Sequence, residues 1–371
     1  MPGAGGGSVR THEINRRLAA RGHEVTVLTT RYPGWIVRIQ DGVLYVPIGF
    51  GKGASRLTRL LGYVICLPVE TWKRRRMADL VVEDFFAPFS TVASPLWTRM
   101  PTIGVVQWLH AVEKSKQYKL PFHLIQRVGV RQHQRLIAVS QDTADNLLEM
   151  NPGARVRVIG NGVDRQAFEI PPRPGKDIVC IGRLEFIGKG IDLLLAAWAE
   201  AAPFVDGDLV IAGSGPDAEK CRRLVKESSV SHRVHFIGWI AGSAKFELLN
   251  SARLVVVPSR METFGLVVLE ALACSTPVVA FAIPSFNEVL PHGCGWLVRP
   301  FEIKALAREI IQRYGAIEEL AAAGAEGRKF AATFDWDRLA VLQEGEYLAT
   351  VAETPGALAE VVCMPRQERQ L

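Results

Sequence analysis

The stretch Ser259–Cys274, SRMETFGLVVLEALAC, decides how the chain is read. From Leu266 to Ala273 every residue is apolar except Glu270. A helix apolar on all faces is buried, and an unpaired buried carboxylate is costly, so Glu270 needs a polar partner. Glu262 stands eight positions earlier, at the mouth of the helix. The first N–H groups of a helix lack partners inside it and attract anions. Gly265, just before them, lets a ligand approach the backbone closely. The stretch therefore reads as a buried helix that opens onto an anion and carries a carboxylate for hydroxyl groups, unless Glu270 merely pairs with an arginine.

Upstream, IGRLEFIGKG (181–190) leaves a strand and enters a helix. Arg183 and Lys189 lie six residues apart among Gly182, Gly188 and Gly190. Two cations on such a loop suit a diphosphate, although alone they read equally well as surface residues at a helix start. The same alternation fills the second half: strands at DIVCIGRL, DLVIAGSG, RVHFIGWI, RLVVVPS, PVVAF and GWLV, helices at 191–201, 217–228, 244–250 and 303–313. The first half alternates too, from a glycine loop (GAGGG), a helix at 9–21 and a strand at 24–30 to apolar runs at 80–82, 102–106 and 136–139. Ser140 is placed to cap a helix at 142–149. Repeated βα alternation predicts parallel, doubly wound sheets. EIPPRPGK (169–176), with three prolines, reads as the linker between two such domains. A doubly wound domain would also have a strand before its first glycine loop, yet only Met1 and Pro2 precede GAGGG.

Composition sets limits. At 371 residues, two domains are expected. Six scattered cysteines without a C-x-x-C pair argue against a metal knuckle or a disulfide framework, and suit a reducing compartment. Asp206-Gly207-Asp208 reads as a turn and Asp335-Trp336-Asp337 as a helix cap, which leaves no convincing metal-binding D-x-D pair. GSGP (213–216) follows a strand, but Ala218 stands where G-x-G-x-x-G has its third glycine, so a nicotinamide enzyme is not expected. No motif marks a pyridoxal-phosphate lysine.

Taken together, GRLEFIGKGIDLLL, GSGP, PSRMETFGLVVLEALACSTPVVA, NGVD and the N-terminal GAGGGSVRTHEINRRLAARGHEVTVLT resemble the retaining family 4 (group 1) glycosyltransferases of the GT-B fold. The resemblance runs from about residue 3 to 350. It implies an α/β architecture of two Rossmann-like doubly wound domains facing a cleft. The domains are then an acceptor-binding domain over 1–168, the linker 169–176, a nucleotide-sugar domain over 177–335, a helix at 336–352 crossing back to the first domain, and a loose tail at 353–371. It further implies that Arg183 and Lys189 bind the donor diphosphate with main-chain help from Phe264, Gly265 and Leu266. Glu270 would hold the ribose and Glu262 would contact the transferred sugar. Gly6 and Gly7 would close over the phosphates or acceptor. The family's histidine after the strand near PTIGVV falls on Gln107 by position, while His110 comes three residues later; both are candidates.

The expected reaction is retaining, metal-independent transfer of a hexosyl group from a UDP- or GDP-linked sugar, with no cofactor. The acceptor is expected to be a lipid-linked or envelope glycan precursor. Alternatives are a soluble natural product or metabolite as acceptor, or a non-catalytic nucleotide-sugar-binding protein.

Charge bears on the acceptor. Residues 1–171 hold 23 Lys and Arg against 13 Asp and Glu, a net +10, while the remainder is net −4. Lys52, Arg56, Arg59 and Lys73–Arg76 flank the apolar run LLGYVICLPVETW, and EKSKQYKLPFHLIQRVGVRQHQR (113–135) repeats the mixture. Such a helix suits an anionic membrane surface, or is a solvated face beside a core helix. Leu60–Val69 is too short to span a bilayer and contains Pro68, and no signal-peptide pattern opens the chain. No nucleic-acid motif accompanies the charge. The expected location is cytoplasmic, peripheral on the inner face of the plasma membrane.

Overall fold

The computed structural model describes residues 6–354 except 33, 51–55, 88–89, 110, 113–114, 116–118, 120 and 174, with only the backbone of 6, 56 and 57. Its contacts divide the chain into two compact units, one of residues 1–160 and 336–371, the other of 161–335.

In the first unit, helix α1 (Gly6–Ala20) leads to strand β1 (Val25–Thr30), then to the hairpin β2 (Arg38–Gln40) and β3 (Val43–Ile48). Helix α2 (Arg56–Arg74) follows, then β4 (Val81–Asp84) and β5 (Thr102–Val106). Helix α3 (Phe122–Gln132), β6 (Arg135–Ala138), helix α4 (Gln141–Met150) and β7 (Arg155–Val158) complete the alternation. Ser140 caps α4, its hydroxyl accepting from the Thr143 N–H at 3.2 Å. The strands form two sheets, ordered β1-β3-β2 and β4-β5-β6-β7. Their strand pairs are parallel except the β2–β3 hairpin. Helix α1 joins the two, because Ile14 and Leu18 pack with Ile103, Val105 and Ile137 of one sheet and with Val25 of the other.

The second unit is one six-stranded parallel sheet. Its strands are β8 (Ile178–Ile181), β9 (Leu209–Ala212), β10 (Val234–Gly238), β11 (Leu254–Val257), β12 (Val278–Phe281) and β13 (Gly295–Val298). Their order is β10-β9-β8-β11-β12-β13, the 3-2-1-4-5-6 pattern of a Rossmann fold. Between them run α5 (Ile191–Ala201), α6 (Ala218–Lys226), α7 (Ser243–Asn250), α8 (Leu266–Ala273) and α9 (Pro284–Val289), and α10 (Ile303–Gly315) and α11 (Ile317–Ala331) follow β13. Strands β11 and β12 are buried throughout, as strands covered on both faces must be.

Two boundaries differ from the sequence reading. The division falls after Gly160 rather than at 168, and the proline-rich segment is no free linker. Asn250 Nδ2 donates to the Ile170 carbonyl at 3.0 Å and the Gly175 N–H donates to the Ser251 carbonyl at 3.0 Å, which straps it to the second unit. The last helix, α12 (Trp336–Glu353), groups with the first unit. Trp336 and Leu339 join the cluster of Ile14 and Leu18. Arg17 pairs with Asp337, Arg21 and His23 hold Glu344, and Arg155 reaches Glu353 at 2.6 Å. Of the expected tail, residues 355–371 lie outside the described residues.

Candidate functional site

In a sheet wound both ways, the loops at the carboxyl ends of the two central strands diverge and leave a crevice between them. Here those strands are β8 and β11, and the loops that follow them carry the residues singled out above. The β8 loop turns once as a helix at Phe186–Lys189 and reverses at Gly190, whose φ is +62°. A Cβ on Gly190 would lie 2.1 Å from the Pro258 carbonyl, so the two loops touch there and only glycine fits. Arg260 fastens the contact. Its N–H donates to the Gly188 carbonyl at 2.9 Å, and its guanidinium forks onto both oxygens of Asp192 at 2.7 Å each. Neither Arg260 nor Asp192 was singled out in the sequence; an acid in the first turn of α5 was the available signal.

GSGP packs against the same loop. Cβ atoms on Gly213 and Gly215 would fall 1.8 Å from the Gly182 carbonyl and 2.4 Å from that of Leu184. These glycines therefore serve close backbone approach.

The charged side chains come in pairs. Lys189 Nζ bonds Glu262, whose same oxygen accepts from Ser259 Oγ at 3.0 Å. Lys245 Nζ bonds Glu270 at 2.6 Å. This answers the question raised by the buried helix: the partner of Glu270 is a lysine on α7 rather than an arginine, and the sequence did not point to it. Arg183 is 63% exposed, its Nε 3.4 Å from Glu185. Gly265 precedes α8 with φ +96°, and a Cβ there would meet the Phe286 ring at 2.6 Å. Phe264 is buried edge-on against Phe334 at 6.1 Å, so its side chain anchors the loop and leaves only backbone for a ligand. The crevice thus offers an exposed arginine, a lysine and a helix start, with two carboxylates on the β11 side.

Asp208 lies outside this group, paired with Arg233 at 3.1 Å and His235 at 2.8 Å. Gly207 is so tight against the Lys176 carbonyl that a Cβ would lie 1.7 Å away. Asp206–Asp208 is a structural turn.

In the first unit, α1 begins at Gly6, so Gly6 and Gly7 form its first turn instead of a loop before Val9. Gln107 follows β5 and stands against that turn, where a Cβ on Gly7 would be 3.3 Å from Gln107 Oε1. Gln107 Nε2 donates to Thr11 Oγ1 at 3.1 Å, and Thr11 donates to Asp84 at 2.7 Å. Gln107 Oε1 is buried with no hydrogen-bond partner among the described residues. Burial raises the Asp84 carboxyl above its usual range, against the Thr11 hydrogen bond and the nearby Arg10. Asp84 was not singled out; its place at the carboxyl end of β4 was the signal. His110, the other candidate at this strand end, lies outside the described residues.

Residues 4–167 match the model of Glycosyltransferase Family 4 and residues 175–315 that of the group 1 glycosyl transferases. The chain belongs to the family 4, group 1 glycosyltransferases. Glycogen synthase of Mycobacterium tuberculosis is 26% identical over 93% of this chain and 91% of its own length. Among solved structures, sucrose-phosphate synthase from Thermosynechococcus elongatus superposes with a TM-score of 0.81 at 24% identity, covering 94% of each chain. Anabaena HepE in complex with UDP and glucose does so with a TM-score of 0.72 at 19% identity, over 93% of this chain and 96% of that one. These likenesses identify the glycosyltransferase's fold as GT-B.

Proposed function

We propose that this glycosyltransferase moves a hexosyl group from a UDP- or GDP-linked sugar to a hydroxyl of a lipid-linked or envelope glycan precursor, with retention of anomeric configuration. The reading rests above all on the Lys189–Glu262 pair, which ties the loop after β8, where Arg183 stands, to the loop after β11 that leads into the helix of Glu270. The diphosphate lies against Arg183, Lys189 and the first N–H groups of α8, so protein groups rather than a metal ion meet its charge. When the bond between C1 and the diphosphate breaks, that charge grows, and preorganised cations stabilise it most where water is excluded. A diphosphate that takes Lys189 competes with Glu262 for the same ammonium, which turns the Glu262 carboxylate toward a sugar hydroxyl. Glu270, steadied by Lys245, accepts from the ribose hydroxyls. Binding of UDP by the Anabaena structure supports a uridine donor.

The acceptor domain is the first unit, and Gln107 with the first turn of α1 is its candidate site. Its basic excess supports work at an anionic membrane surface. Incubating the purified enzyme with a nucleotide sugar and a lipid-linked acceptor, then reading the anomeric coupling of the product by proton NMR, tests the reaction. An axial glycoside from an axial donor is expected; an inverted product, or none with any donor, rejects the reading.

A further inference from the structure

Helix α2 is apolar on its outer face as well as its inner one. Its inner face is fixed by close packing on the β1–β3 sheet. Cβ atoms on Gly49 and Gly62 would meet backbone at 2.7 and 2.8 Å, Tyr63 OH donates to the Leu28 carbonyl at 3.3 Å, and Leu67 and Thr71 are buried. The opposite face should then be polar. Instead it carries Leu61, Ile65, Val69 and Trp72, exposed by 44, 62, 55 and 61%. Their spacing of four, four and three residues sets them in one stripe along the helix. Water contact of this extent is costly for large apolar groups and marks an interaction surface.

The charges beside the stripe say what covers it. Glu70 is the single acid of α2, and Lys73 and Arg74 neutralise it at 2.7 Å each. Arg75 lies over the Trp72 ring at 3.9 Å, and Arg76 follows. A tryptophan under a guanidinium at the end of an apolar stripe matches the boundary between acyl chains and anionic headgroups, where Trp and Arg each keep one side wet. A protein partner of net negative charge would satisfy the cations but would not need four unpartnered apolar side chains in a row. No helix among the described residues is long and apolar enough to cross a membrane, so contact would be peripheral.

We infer that α2 is the membrane-docking element of this enzyme: it lies in the plane of an anionic bilayer, with Leu61, Ile65, Val69 and Trp72 among the acyl chains and Lys73–Arg76 at the headgroups. The inference rests on the membrane-surface reading given under the proposed function, and gives it a location. It predicts that the first unit, through the same face, is held beside lipid-linked acceptors.

Flotation with vesicles of phosphatidylcholine alone, or of phosphatidylcholine mixed with anionic phosphatidylglycerol, whose surface potential attracts basic segments, tests it on the full chain. The wild type is expected to float with the anionic vesicles, and progressively less as salt rises. The double variant Ile65→Glu/Trp72→Glu is expected to lose about tenfold or more of that binding. Because both residues are exposed, its melting temperature and its nucleotide-induced thermal shift should match the wild type. Equal flotation of wild type and variant would overturn the assignment of α2 and leave the membrane reading standing. A wild type that does not float at all would overturn both, while the thermal shift would still report the donor site independently. If the wild type is a dimer in light scattering and the variant a monomer, the stripe is a self-interface and the inference is overturned.

Discussion

Glu83 is almost completely buried in the first unit, yet it is charged. Its carboxylate accepts from Thr91 Oγ1 at 2.5 Å, from the N–H groups of Val92 and Ser94 at 2.7 and 2.8 Å, and from His133 Nε2 at 3.2 Å. Burial alone would raise its pKa; the His133 hydrogen bond and charge, with those of Ser94 and Thr91, outweigh it and bring the value down to about 2. A depressed carboxylate stabilises the fold fully above its unfolded value of 4.5, and that stability is lost as pH falls from there toward about 2. The shift corresponds to roughly 3 kcal/mol at 1.36 kcal/mol per unit. Urea denaturation of the wild type and Glu83→Gln at pH 6 and pH 3 should show the variant less stable at pH 6 and the gap narrower at pH 3. An unchanged gap would mean that the Glu83 charge contributes nothing. This site lies one residue from Asp84, and the contrast is instructive: neighbouring acids on one strand point to opposite faces, one into a full set of donors and one toward Gln107 and Thr11.

At the scale of elements, α8 and its entry turn shape the proposed donor crevice. Gly265→Ala places a Cβ at a φ of +96° and 2.6 Å from the Phe286 ring. Strain of that kind costs on the order of 1–3 kcal/mol, so the variant should melt several degrees lower and bind nucleotide more weakly. Unchanged melting and binding would show that the turn relaxes freely and is not a determinant of the site. The elements also show where the sequence was legible. Helix α5 lies at 191–201 as its apolar periodicity required, and the Ser140 cap was readable from residue type alone. Helix α11 was missed because its inward face is built from small residues. Gly324 and Gly327 let it approach so closely that Cβ atoms there would lie 2.2 Å from the Ser275 carbonyl and 2.7 Å from Leu272, and small residues leave no hydrophobic period to find. The β2–β3 hairpin was missed for a different reason: β2 is three residues long with Ile39 73% exposed, too short for an alternation. Arg183, Lys189, Glu262 and Glu270 could be named as candidates because glycine turns and a buried helix framed them. Lys245 was not, because its link to Glu270 spans 25 residues and joins two helices.

Across the whole molecule, the two units divide the work that the sequence divides in charge. The first, net basic over residues 1–171, carries the apolar stripe of α2 and the Gln107–Thr11–Asp84 chain. The second carries a Rossmann sheet whose central loops hold Arg183 and Lys189, the cations proposed to bind the diphosphate. Whether those loops bind a nucleoside diphosphate is tested most directly by a thermal-shift panel of UDP, GDP, ADP and TDP on the wild type and Arg183→Ala. A ligand at about a hundred times its dissociation constant stabilises by about 2.7 kcal/mol, well within reach of the method. UDP or GDP is expected to raise the melting temperature of the wild type, with a much smaller shift in Arg183→Ala at equal ligand. A shift by none of the four, or an equal shift in both proteins, would contradict such binding.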